Sequence, residues 1–169
     1  SLTRLGSSFL TCEINSFTLN NCTKTINETA IIKPTKIPVM IYKVFETKYA
    51  KIGVGICWDQ WFPEASRIMA LNGAELLFYP TAIGSEPDTP ELDSRDSWQL
   101  VMQGHSAANT LPVIASNRIG METNEKFSMT FYGSSFITDG TGVKVKECSR
   151  DKEEYIIHQF DLDSLQEHR

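Results

Sequence analysis

A short apolar run, Ile52 to Ile56, leads directly into Cys57, and a second run, Glu75 to Tyr79, follows after one helix-like interval. Continuous apolar segments of this length suit strands buried on both faces. Between them, Pro63 fits the first turn of a helix and Glu64 its positive N-terminal end, while Ile68, Met69 and Leu71 supply an apolar face and Asn72-Gly73 a stop. Two such strands joined by a helix make a right-handed βαβ unit, which binds ligands at the carboxyl edge of its parallel sheet. The pattern therefore predicts that Cys57 and the loop Thr81 to Glu86 share one edge, with Pro80 closing the second strand and Gly53 and Gly55 admitting neighbouring backbone.

Tyr42 to Thr47 alternates and predicts a strand paired with the 51–56 run through a tight connection. The prolines and aspartates of Asp88 to Asp96 predict an irregular loop. Ser97 to Asn109 predicts a helix with Trp98, Val101, Met102, His105 and Ala108 on one face, where His105 reads as a histidine satisfied at the sheet interface. Beyond it come a buried strand, Val113 to Ser116, a polar excursion, Met121 to Ser128, and one strand from Met129 to Ile137. Asp139-Gly140-Thr141-Gly142 predicts a hairpin turn into Val143 to Glu147, and Tyr155 to Leu162 a last strand before a helix from Asp163. Residues 1–39 carry no sustained period. Strands alternating with helices and then with hairpins predict a layered α/β fold with a mixed sheet.

Composition narrows the function. The 169 residues, 41% hydrophobic and 22% charged, suit one globular domain with a core. A net charge of -5 with no basic cluster argues against nucleic acid as a partner. An apolar run long enough to span a membrane is missing, so no membrane is expected either. The four cysteines, Cys12, Cys22, Cys57 and Cys148, show neither metal-ligand spacing nor a disulfide framework. With no secretory signal, that usage suits the reducing cytoplasm.

A cysteine at a strand end before a helix can present a reactive thiolate, or can be a small buried hydrophobe. The wording around it distinguishes the two. Cys57-Trp58-Asp59-Gln60-Trp61-Phe62-Pro63-Glu64, Phe78-Tyr79-Pro80-Thr81-Ala82-Ile83-Gly84-Ser85-Glu86-Pro87, Met102-Gln103-Gly104-His105, Ser116-Asn117-Arg118-Ile119-Gly120 and Phe131-Tyr132-Gly133 together resemble the nitrilase superfamily of carbon-nitrogen hydrolases. The resemblance covers residues 42–165, dividing the chain into an unmatched segment, 1–39, and the later part of a hydrolase domain, 40–169. It implies a nitrilase-like α-β-β-α sandwich, here an incomplete version lacking the N-terminal part. It also implies hydrolysis of a carbamoyl or amide carbon–nitrogen bond with Cys57 as nucleophile, the backbone N–H of Trp58 as an oxyanion donor, and no metal or cofactor. The wording is nearest the branch that releases putrescine from its N-carbamoyl derivative, a step of polyamine biosynthesis. In that branch Glu86 would attract the substrate's free ammonium, and Ala82 and Ile83, with Trp58, would flank its carbon chain. Gln60 and Trp61 stand where relatives acting on carbamoyl amino acids carry a carboxylate-gripping arginine pair. The expected partners are a small carbamoyl amine and further copies of the chain, in a homo-oligomer.

The family's glutamate base and oxyanion lysine precede its cysteine. Here Glu13, Lys24 and Lys36 have the right order but no matching context, and Asp59 and Glu64 are explained by capping a turn and a helix. Two alternatives stay open: a catalytically impaired subunit that co-assembles with a full-length relative, and an amidase for another carbamoyl or amide substrate.

Overall fold

The computed structural model describes residues 42–86, 89, 91–125 and 127–169, together with the backbone of strands 2–5 and 9–15. Strands β1 (Leu2–Leu5) and β2 (Phe9–Asn15) are followed by β3 (Val44–Glu46) and β4 (Lys51–Val54), which form the expected antiparallel pair. Helix α1 (Pro63–Leu71) crosses to β5 (Leu76–Thr81), and α2 (Arg95–Asn109) crosses to β6 (Val113–Asn117). After these come β7 (Met121–Thr123), β8 (Ser128–Thr130), β9 (Phe136–Thr138), β10 (Lys144–Glu147), β11 (Tyr155–Asp161) and α3 (Leu162–Glu167).

The main sheet has the order β10-β9-β6-β5-β4-β3, with β4, β5 and β6 parallel and the flanking pairs antiparallel. Its central strands are apolar on both faces, as continuous hydrophobic runs require. Leu77, Tyr79, Val113 and Ala115 pack against Ala65 and Met69 of α1 and Trp98 and Met102 of α2. Leu76, Ile114 and Ile137 pack on the opposite side with Phe160 and Ile156 of β11 and Leu162 and Leu165 of α3. Burial of each large side chain here stabilises the fold by about 1.5–3 kcal/mol. β11 belongs to a second sheet of order β1-β2-β11, so the layers run helices, mixed sheet, second sheet.

Several boundaries differ from the sequence expectation. Strand β5 runs through Pro80 to Thr81. The Phe78 carbonyl accepts from Gly55 N–H at 3.0 Å, so alternate residues of β5 turn their backbone towards β4. β4 has ended by the level of Pro80, and the missing proline N–H has no acceptor to serve. Gly53 and Gly55 admit side chains, Leu77, Met69 and Tyr79, not backbone. Helix α2 begins at Arg95, because Asp93 Oδ1 accepts the Arg95 N–H at 3.0 Å and turns the acidic loop into a helix start.

The expected strand from Met129 to Ile137 is two strands, β8 and β9. Between them Gly133 and Ser134 adopt left-handed backbone, with φ of 53° and 52°. A Cβ at Gly133 would overlap the Arg150 carbonyl, so that position admits no side chain. The polar excursion from Met121 to Ser128 is largely a hairpin, β7 paired antiparallel with β8. In the first segment, β2 pairs antiparallel with β11 from Asn15↔Tyr155 to Phe9↔Asp161, placing Glu13 opposite Ile157. Lys24 and Lys36 lie outside the described residues.

Candidate active site

The chain leaves β4 through a one-turn 3₁₀ helix, Cys57–Trp61. Asp59 closes that turn: its Oδ2 accepts the Ile56 N–H at 2.8 Å and its own N–H bonds to the Ile56 carbonyl at 3.1 Å. Cys57 has φ of 50°, a left-handed conformation that costs a residue other than glycine about 1–2 kcal/mol. Such strain persists only where the surroundings over-determine it.

Gln60 supplies that constraint. Only 1% of its surface is exposed. Its Oε1 accepts the Trp98 indole N–H at 2.6 Å, and its Nε2 donates to Thr81 Oγ1 at 3.1 Å. His105 Nε2 lies 2.8 Å from the Gln60 carbonyl oxygen, which can only accept, so Nε2 carries the proton. The turn is thereby fastened to both β5 and α2. Gln60 also lines the surface hollow beside Cys57, but its amide is engaged by Trp98 and Thr81 and is not available to grip a substrate carboxylate.

Burial lowers the basicity of His105, against the opposing pull of the Gln60 carbonyl and the Glu64 charge. A buried histidine with a folded value below 6.5 stays neutral while the unfolded chain takes up its proton. Its contribution to stability is therefore complete above about pH 6.5 and is lost as the pH falls towards the folded value. His158, lowered by burial and then by Lys146, acts in the same direction. The denaturation midpoint is expected to fall as the pH drops below about 6.5, with a shallower slope in His105→Gln. An unchanged slope in that variant would place the titrating group elsewhere.

The five expected site residues, Cys57, Trp58, Ala82, Ile83 and Glu86, line one cleft of about 300 Å³ at the carboxyl edge of the main sheet. Ser94 and Met129 line it too, and sequence reasoning missed both. Trp58 is 70% exposed and meets Trp61 edge to face at 6.1 Å. Larger hollows of about 460, 560 and 710 Å³ lie elsewhere on the surface, but no cysteine lines them.

The loop after β5 is fixed from behind. Asn117, fully buried at the end of β6, accepts the Ile83 N–H at 2.9 Å and donates to the Ile83 and Gly133 carbonyls, each at 3.0 Å. The hairpin holds the same loop: Ser85 N–H donates to the Thr130 carbonyl at 2.8 Å, and Thr130 N–H to Ser85 Oγ at 3.0 Å. A Cβ at Gly84 would overlap the Thr130 carbonyl, so glycine is what permits this approach.

Glu86 is the one charged side chain lining the cleft among the described residues, and none of their ion pairs includes it. Arg118 stacks 4.4 Å from the centre of the Phe131 ring and pairs with Glu122. Among the described residues no group of three histidine, cysteine or acidic side chains could hold a metal ion, and no helix is long and apolar enough to cross a membrane.

Helices packed on a mixed sheet, itself backed by a second sheet, are layers of the nitrilase-type sandwich, of which the structure covers a part. The chain belongs to the carbon-nitrogen hydrolase family, which it matches over residues 22–169. It is 62% identical over 128 residues to the citrullinase of Francisella tularensis, covering 76% of this chain and 45% of that protein. To the N-carbamoylputrescine amidase of Solanum tuberosum it is 59% identical over 132 residues, covering 76% and 44%. The crystal structure of a carbon-nitrogen hydrolase from Helicobacter pylori G27 superimposes with a TM-score of 0.68 at 42% identity, covering 75% of this chain and 45% of that one. The chain thus spans less than half the length of these relatives.

Proposed function

We propose that this cleft hydrolyses N-carbamoylputrescine to putrescine, carbon dioxide and ammonia, as a step in polyamine biosynthesis. The observation that carries the reading is that Cys57 and a carboxylate, Glu86, which has no ion pair among the described residues, line the same cleft, with the apolar Trp58, Ala82 and Ile83 beside them. The Cys57 thiolate attacks the ureido carbon. The carbon–nitrogen bond to putrescine then breaks, the amine leaves with a proton, and a thiocarbamate remains on sulfur. Water adds to that carbon and releases carbamate, which decomposes to carbon dioxide and ammonia.

As the second residue of a helical turn, Trp58 has a backbone N–H with no helical acceptor, suited to receive the developing oxyanion; such a donor is worth roughly 3–4 kcal/mol. No lysine lines the cleft among the described residues, and Asp59 is engaged in its own turn. The glutamate base and lysine of the family resemblance belong upstream of Cys57, where residues 1–41 have no described side chains.

Two relatives point to related substrates, citrulline and N-carbamoylputrescine. Citrulline adds a carboxylate, and a lining whose one described charge is Glu86 favours the substrate without it. The test is incubation of the chain with N-carbamoylputrescine, with mass spectrometry of the Cys57 peptide and assay of released putrescine beside a full-length relative. A carbamoylated Cys57 is expected; no adduct and no putrescine would mark the chain as a subunit without activity of its own. Glu86→Gln is expected to raise KM roughly 10-fold with kcat little changed, the loss of one charge-assisted hydrogen bond. An undiminished preference for cationic substrates in that variant would point to a different carbamoyl or amide substrate.

Assembly as a homo-oligomer belongs to the same reading and follows from the family resemblance. Sedimentation at monomer mass across micromolar concentrations would refute that.

A further inference from the structure

We infer that Met129 is the specificity-determining residue at the charged end of the cleft, setting the length of alkyl chain that fits between the reacting carbon and the ammonium. This rests on the reading of the cleft as a site for ureido amines. The argument is one of register. Gly84 and Phe131 form an antiparallel bridge, with Tyr132 N–H donating to the Ile83 carbonyl at 3.0 Å and Ser85 N–H to the Thr130 carbonyl at 2.8 Å. That bridge brings the start of the 84–86 segment against the end of β8; two residues on, Glu86 turns to bridge with Thr89, while Met129 stands two residues before Phe131, and both line the cleft.

The hairpin orients the methionine. In β8 it is half-buried between two exposed neighbours, Ser128 and Thr130. Its partner on β7 is Glu122, whose carboxylate is engaged by Arg118. Met129 therefore stands beside a neutralised carboxylate, Glu122, and shares the cleft with Glu86, which has no ion pair among the described residues. In this reading a cation held by Glu86 lays its last methylenes against the thioether. An unbranched, flexible side chain fills whatever space the ligand leaves, and its volume limits how much chain the cleft accommodates.

The experiment measures how well a homologous series, from ureidopropylamine to ureidohexylamine, protects Cys57 of the full chain from alkylation by iodoacetamide. The native protein is expected to show one preferred length. In Met129→Ala the ratio of protection constants for ureidopentylamine over ureidobutylamine is expected to rise roughly 4-fold, the value of one buried methylene. Met129→Phe is expected to move the preference to the shorter homologue, and Ser128→Ala, on the solvent side of the same strand, to leave the profile unchanged. Protection with an unshifted profile in both Met129 variants overturns this inference alone. Failure of every homologue to protect native Cys57 overturns the reading of the cleft and this inference with it.

Discussion

Cys57→Ala is expected to lower hydrolysis of N-carbamoylputrescine by about 10⁴-fold or more and to remove alkylation from the 57–61 turn, because removing a nucleophile leaves only binding and oxyanion contacts. No other described cysteine can take over. Cys148 is buried, with its N–H bonded to the Ser135 carbonyl at 2.8 Å, and burial, followed by the charges of Glu154 and Glu147, pushes its thiol up to about 11. Cys148→Ala should therefore retain labelling at Cys57. Peptide mapping after iodoacetamide treatment, beside steady-state rates for both variants, reads the outcome. Hydrolysis that survives in Cys57→Ala removes that sulfur from the mechanism.

Gln60→Leu is expected to destabilise the fold by about 2–4 kcal/mol, although leucine is apolar and the side chain is buried. The substitution strands the Trp98 indole N–H and the Thr81 hydroxyl in the interior, and each buried orphan costs about 1–3 kcal/mol. Combining it with Trp98→Phe should cost less than the sum of the two changes, since the orphaned donor is then gone, and the non-additivity is the signature of the bond. Denaturant unfolding of the four proteins gives the coupling. The same exchange loosens the turn that holds Cys57 at positive φ, so the alkylation rate at Cys57 should change in step. A stability equal to that of the native protein would show that the network does not anchor the turn.

Most of the stretch from Lys51 to Tyr79 disclosed its own structure, because a strand buried on two faces and a helix buried on one leave different periods, and Pro63 and Asn72-Gly73 mark the helix ends, whereas Pro80 did not end β5. That much also located Cys57 and Glu86 on a common edge, since parallel strands joined by a helix point their carboxyl ends the same way. The wording around Cys57 led to the family. The orientation of Gln60 was not legible: it stands in an exposed-looking turn, and only the arrival of Trp98, 38 residues away, shows that its amide faces inward. The break at Gly133-Ser134 was hidden for a related reason, because the obstacle that forbids a side chain there is the Arg150 carbonyl.

Ser94 and Met129 entered the cleft unannounced, and Met129 came on a hairpin fastened to the 82–86 loop by a bond spanning 45 residues. Local sequence by itself determined the βαβ unit, the edge it exposes and the sulfur at that edge, because periodicity and capping act within a few turns of chain. Tertiary structure alone decided what faces that sulfur and how the turn beneath it is held, because those contacts join segments whose separation leaves no period to read.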